Sequence, residues 1–121
     1  MTHQTLDTAH AAHSQIYPLP GPPDIPPDIL TGAAAFEALR QWDSEHQHDG
    51  PDIRIPRSAA RTSLAALAGD EVDKILLGST TTTTPSAHQA AVADAAAEVM
   101  RLYDAVYGEG EFYEPPGSEL F

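Results

Sequence analysis

One stretch, residues 86–107, constrains this chain more than any other. His88, Val92, Ala95, Val99, Leu102 and Val106 follow one another at spacings of 4, 3, 4, 3 and 4, and Ala96 and Tyr103 widen the line into a stripe. Apolar residues at that period share one face of an α-helix, and such a face has to be covered by a core. Thr84-Pro85-Ser86 supplies a start, with Pro suited to the first helical position and Ser86 and Gln89 spaced as a capping box. Gly108 supplies a stop. At ~1.5 Å per residue the helix spans about 33 Å, the width of a small domain. It is the expected organising element, and the rest of the chain or a partner must lie against it.

The rest of the chain has little to offer. A length of 121 residues allows one domain. Alanine accounts for 20 residues, while Leu, Ile, Val and Phe together number only 23 against a net charge of −12. That balance sits at the edge of what can offset ordering entropy, so a small core and reliance on a protein partner are expected. The acidic excess, with six Lys and Arg in all, argues against direct nucleic-acid or anionic-membrane binding. The absence of Cys excludes disulfides and thiolate metal sites. The first ten residues carry neither a basic start nor an apolar run, and nothing approaches the ~20 apolar residues of a membrane span. No secretory signal is therefore expected, and the expected location is cytoplasmic or within a virion or other intracellular assembly.

Taken in order, residues 1–15 are polar, and a short helix over 6–14 would bury almost nothing. Residues 17–27 hold six of the 11 prolines, which forbid helix and sheet bonding and favour an extended, stiff arm. Thr31 is placed to cap a helix over 32–46, with Phe36, Leu39 and Trp42 on one side and Gly50-Pro51 beyond its end. Residues 52–56 read as an extended connector in which Ile53 and Ile55 could pair with an edge. In 59–77 the Gly69-Asp70 pair interrupts the pattern: Gly costs about 1 kcal/mol inside a helix and Asp is a good N-cap. Two helices, 59–68 and 71–77, are expected there, followed by a linker through the threonine run 80–84. The expected fold is all-α, a small bundle of three to four helices. It divides into an extended Pro-rich N-terminal arm (1–30), a helical domain (31–108) and an acidic, aromatic C-terminal tail (109–121).

Few residues point to chemistry. His46 and His48, flanked by Asp43, Glu45 and Asp49, are the best metal candidates, yet a site needs three or four fixed ligands and this run lies at a helix end. His88, alone on the apolar stripe, reads as a residue at the edge of the core. No Gly-x-Ser-x-Gly elbow and no phosphate-binding glycine loop is present. No active site and no cofactor is expected.

Partner contacts are more legible. Ile16, Tyr17, Leu19 and Ile25 give the Pro-rich arm apolar side chains that a free linker does not need. Arg54, Arg57 and Arg61 place half of the chain's positive charge within eight residues, and Arg favours bidentate pairing with carboxylates. Phe112, Tyr113, Leu120 and Phe121 alternate with glutamates in the tail, a composition suited to docking across a chain boundary. The expected function is a non-catalytic adaptor or structural subunit of a larger protein assembly, with copies of the same chain among its candidate partners. The alternatives are an acidic mimic of nucleic acid that occupies a basic cleft, and a small metal-binding protein using His46 and His48.

Overall fold

Eight consecutive residues, Gly32 to Leu39, are buried. A helix buries its whole circumference only when neighbours surround it. That helix is α2 (Pro27–His46), and in the computed structural model it packs against α1 (Leu6–Ile16), α3 (Arg57–Leu77) and α4 (Pro85–Tyr107), while α3 and α4 also pack on each other. The structure describes residues 6–17, 25–46, 54–77, 84–108 and 110–113. Among them it is all-α, a small bundle of four helices. Ala33, Ala34, Ala35 and Ala38 have no exposed surface, and their small side chains let neighbouring helices approach α2 closely. Leu39, Leu64, Val72, Ile75, Val99, Leu102 and Tyr103 fill the space between α2, α3 and α4. Each such side chain contributes roughly 1.5–3 kcal/mol by leaving water.

Four local expectations change. The N-terminal helix extends to Ile16 and buries Ala9, Ala12 and Ile16 on α2, far more than its polar sequence suggested. Two of its three buried residues are alanines, and small side chains on both helices make a close contact without a bulky stripe. Helix α2 starts at Pro27, with Asp28 in its first turn, so Thr31 lies inside it. The amide of Leu30 donates to the carbonyl of Pro26 at 3.0 Å. Pro suits such a first turn because its missing N–H has no helical partner to lose.

Residues 57–77 form one helix where two were expected. Gly69 is buried, and a Cβ there would meet Val92 Cγ1 at 3.1 Å. The glycine is the point of close approach between α3 and α4, and packing outweighs its local propensity. Finally, Thr84 is the N-cap of α4: its hydroxyl oxygen accepts from the amide of Ala87 at 3.1 Å, with Pro85 next in the chain. The Ser86–Gln89 box is not the one used. At the other end Gly108 adopts φ 83, and its N–H donates to Asp104 O.

After α4 the chain turns back along residues 54–57. Pro56 and Phe112 form an isolated antiparallel bridge, in which the amide of Tyr113 donates to Ile55 O (2.7 Å) and that of Arg57 to Glu111 O (2.8 Å). Ile55 takes part in this single bridge through its carbonyl, and Ile53, expected to pair likewise, lies outside the described residues. Of the extended arm expected over 1–30, residues 6–16 and 27–30 are helical and 18–24 lie outside the described residues, as do 114–121, most of the tail.

Candidate functional site

Burying a carboxylate costs several kcal/mol unless donors surround it. Two glutamates meet that condition where α1, α2 and α3 come together. Glu37, on α2, accepts from Arg40 Nε (2.7 Å) and Arg40 Nη2 (2.6 Å), and from Gln41 Nε2 (3.2 Å). Its Oε1 lies 2.9 Å from His13 Nε2 on α1. Glu71, on α3, accepts from the Tyr17 hydroxyl (2.6 Å), Lys74 Nζ (2.9 Å) and the same Gln41 amide (3.2 Å). One glutamine therefore ties the two carboxylates, and each has its own cation. His13 also stacks on Tyr17, with ring centroids 4.4 Å apart, and His10 stacks on Phe36 at 5.0 Å.

The electrostatics follow from these contacts. Burial pushes the Glu37 carboxyl upward, but hydrogen bonds from Arg40, His13 and Gln41 outweigh it and hold the group at about 2. Tyr17 is moved well above the usual phenol range, first by burial and then by its bond to the Glu71 carboxylate. The hydrogen bond to Glu71 raises Lys74. The network stores charge in a fixed, compensated form. It presents no nucleophile beside an idle base.

A second cluster adjoins it at the C-terminal end of α2. Trp42 lies 4.0 Å from the His46 ring and edge-on to Tyr113 at 5.4 Å, and Tyr107 meets Tyr113 at 5.0 Å. Tyr107 donates to the buried Asp43 carboxylate at 3.2 Å. Burial pushes the Tyr107 phenol upward, and the Asp43 charge adds to the shift. His46 is thus drawn against aromatic rings, and His48 lies outside the described residues. Among the described residues no group of three or more His, Asp or Glu is arranged to hold a metal ion.

The sequence-selected residues fall into three sets. Ile16 is buried, Tyr17 is bound to Glu71, and Tyr113 is 4% exposed in the aromatic cluster; all three belong to this chain's own core. For Tyr113 that corrects the expectation of an anchor on a neighbouring chain. Its ring completes a wall made by Trp42 and Tyr107, both from the same bundle. Ile25 packs against the core at its edge. Leu19, Leu120 and Phe121 lie outside the described residues.

The third set stays at the surface. Arg57 clamps Asp104 Oδ1 through Nε (3.2 Å) and Nη2 (2.7 Å), while Arg61 approaches Asp104 Oδ2 at 3.6 Å. Arg54 lies over the Phe112 ring, 5.5 Å from its centroid, and pairs with no carboxylate among the described residues. Phe112 is 38% exposed. The return of residues 110–113 along 54–57 therefore gathers three guanidinium groups and one open aromatic ring at a single corner. A separate open groove of about 330 Å³ lies between α3 and α4, lined by Asp73, His88, Gln89, Val92, Ala93 and Ala96. His88 is turned to Asp73 at its rim.

Sequence reasoning missed Glu37 and Glu71. A signal for the first existed: Glu37 stands within GAAAFEAL, a segment with almost nothing else polar, where a charge must find donors one turn away. Arg40 and Gln41 supply them. Glu71 left no such trace, because its partner Tyr17 lies 54 residues away.

These features define a small all-α protein with an Ala-rich central helix and its buried carboxylates held in ion-pair networks. The chain belongs to the family described as virulence factor CipC-like, whose sequence profile matches residues 12–106. That span runs from within α1 to the last turn of α4 and stops short of the returning segment 110–113. No curated protein and no solved structure matches the chain. Among the described residues no helix is long and apolar enough to cross a membrane.

Proposed function

We propose that this chain is a non-catalytic adaptor or structural subunit that docks on a protein partner through the Arg54–Phe112 corner. The observation that carries this reading is the pairing of an aromatic ring left 38% exposed with an arginine lacking a carboxylate partner among the described residues. Arg57 and Arg61 share the Asp104 carboxylate beside it, and Glu111 is bridged to Arg57 through the backbone at the same corner. Arginine and aromatic residues are the side chains that most often anchor interfaces. The matching partner surface is acidic, with an apolar group to cover Phe112.

Five of the acidic residues favour the same reading over a nucleic-acid mimic. A mimic needs an open array of carboxylates. Here Glu98 pairs with Arg101, Asp73 with His88 and Asp104 with two arginines, while Glu37 and Glu71 are inside. The family's description as a virulence factor is compatible with a protein that works through partners and adds no chemistry of its own.

The test compares the parent with Arg54→Glu and Phe112→Ser, in solution mass and in affinity for proteins retained from the native host. Both positions are at the surface, so helicity should not change. Each variant is expected to lose the partner at least ~10-fold, as removal of an interface anchor does. Retention of the same partner with undiminished affinity by both variants would remove this corner from the function.

A further inference from the structure

Thr84-Pro85 is the only place in the 121 residues where a serine or threonine directly precedes proline. Thr84 is exposed, with φ −72 and ψ 156, the extended conformation that a following proline imposes. Its Oγ1 accepts a hydrogen bond from Ala87 N, which leaves the hydroxyl proton uncommitted by that bond. The segment that follows can yield. Residues 84–87 are all exposed, and the first buried residue of α4 is Ala95, so opening the first turn disrupts no core contact. Most of α4 would stay packed while its start lay extended in another protein's cleft.

From this we propose that Thr84 is a phosphorylation site for a proline-directed Ser/Thr kinase. Such an enzyme reads the residue after the hydroxyl by its missing N–H, which only proline offers. A nucleoside triphosphate is the co-substrate. The bond between its γ-phosphorus and the β–γ bridging oxygen breaks, a bond from Thr84 Oγ1 to that phosphorus forms, and the hydroxyl proton passes to the kinase's base. The products are phosphothreonine 84 and the nucleoside diphosphate.

The product suits its position. The first turns of α1 and α2 carry Asp7 and Asp28, whereas those of α3 and α4 carry no acidic residue. A phosphate there brings about −1.5 to −2 charges to the positive end of the helix dipole. His88, one turn further along α4, is already paired with Asp73 of α3. Phosphorylation is therefore a stabilising mark on α4 and leaves the Arg54–Phe112 corner untouched.

The experiment incubates the full chain with a purified proline-directed kinase and ATP, then maps phosphate by mass spectrometry. One phosphoryl group at Thr84 is expected, retained in Thr84→Ser and lost in both Thr84→Ala and Pro85→Ala. The phosphorylated protein is expected to melt ~1–5 °C higher than the unmodified one. Circular dichroism of Pro85→Ala should match the parent, which separates loss of recognition from loss of fold. Absence of phosphate, incorporation at another hydroxyl in place of Thr84, or full incorporation in Pro85→Ala would each overturn the proposal.

Discussion

Helices α2 and α4 are similar in length and opposite in character. In α4 the apolar residues form a stripe, the buried ones are Ala95, Val99, Leu102 and Tyr103, and the N-terminal half is open to solvent. In α2 burial runs almost unbroken from Leu30 to Asp43, and the residues concerned include four alanines, a glycine, a glutamate and an aspartate. A stripe is the mark of a helix with one side in water. A helix at the centre needs no stripe, because every side meets a neighbour. The clearest pattern in the sequence therefore identified a peripheral helix, and the organising element is α2, which meets all three of the others.

The sharpest way to break that comparison is to remove one large side chain from each. Trp42→Ala on α2 takes away the ring packed between His46 and Tyr113 and is expected to cost about 3–5 kcal/mol. Leu102→Ala on α4 empties a fully buried site at a cost of about 2–5 kcal/mol. Against a total stability of about 5–15 kcal/mol, either variant comes close to unfolding the chain. Urea denaturation of both decides the order. If Leu102→Ala proves clearly the more damaging, α4 is the organising helix after all.

How much could be read in advance follows from the same contrast. The all-α class and the boundaries of α4 were legible because a 3.6-residue period is a local property of the chain. The role of α1 was not: Ala9 and Ala12 bury as fully as leucines but carry no hydrophobic signal above that of any alanine. Gly69-Asp70 looked like a break because propensity is local, while the contact of Gly69 with Val92 spans two helices. At the candidate site the cluster of Arg54, Arg57 and Arg61 was visible as charge density. Its division into Asp104-bound arginines and one arginine over Phe112 was not, because it depends on where residues 110–113 return. The same return drew Tyr113 into the core and left Phe112 outside.

A central helix that carries a buried glutamate should also respond to acid in a way that α4 does not require. The Glu37 carboxyl is held at about 2, below its ordinary value of 4.5. A depressed carboxyl stabilises the folded state above the unfolded value, and that contribution is lost as pH falls from about 4.5 toward 2. The size is on the order of 3 kcal/mol. Chemical denaturation of the parent at a series of pH values should show this decline. In Glu37→Gln the same part of the curve should flatten, with lower stability at neutral pH because Arg40 and His13 lose their charged partner. Equal acid slopes in the two proteins would mean that Glu37 is not the group that links α1 to α2.

The smallest expected effect lies where α3 meets the open half of α4. Replacing Gly by Ala inside a helix is worth about 0.5–1 kcal/mol in backbone terms. Opposing it at Gly69, the new Cβ would approach Val92 Cγ1 at 3.1 Å, a few tenths of an ångström too close. The balance depends on whether Val92 can give way. Val92 is only half-buried and lines the open groove with Ala93 and Ala96, so it has room to shift outward. Gly69→Ala is therefore expected to stabilise the chain slightly, by up to ~1 kcal/mol. Gly69→Leu asks for more space than Val92 can release and should cost about 1–3 kcal/mol, as overpacking does. Denaturation midpoints of the two variants would be compared with the parent. A loss of stability already at alanine would show that the α3–α4 contact is as unyielding as the centre of the bundle, and that α4 is open only in appearance.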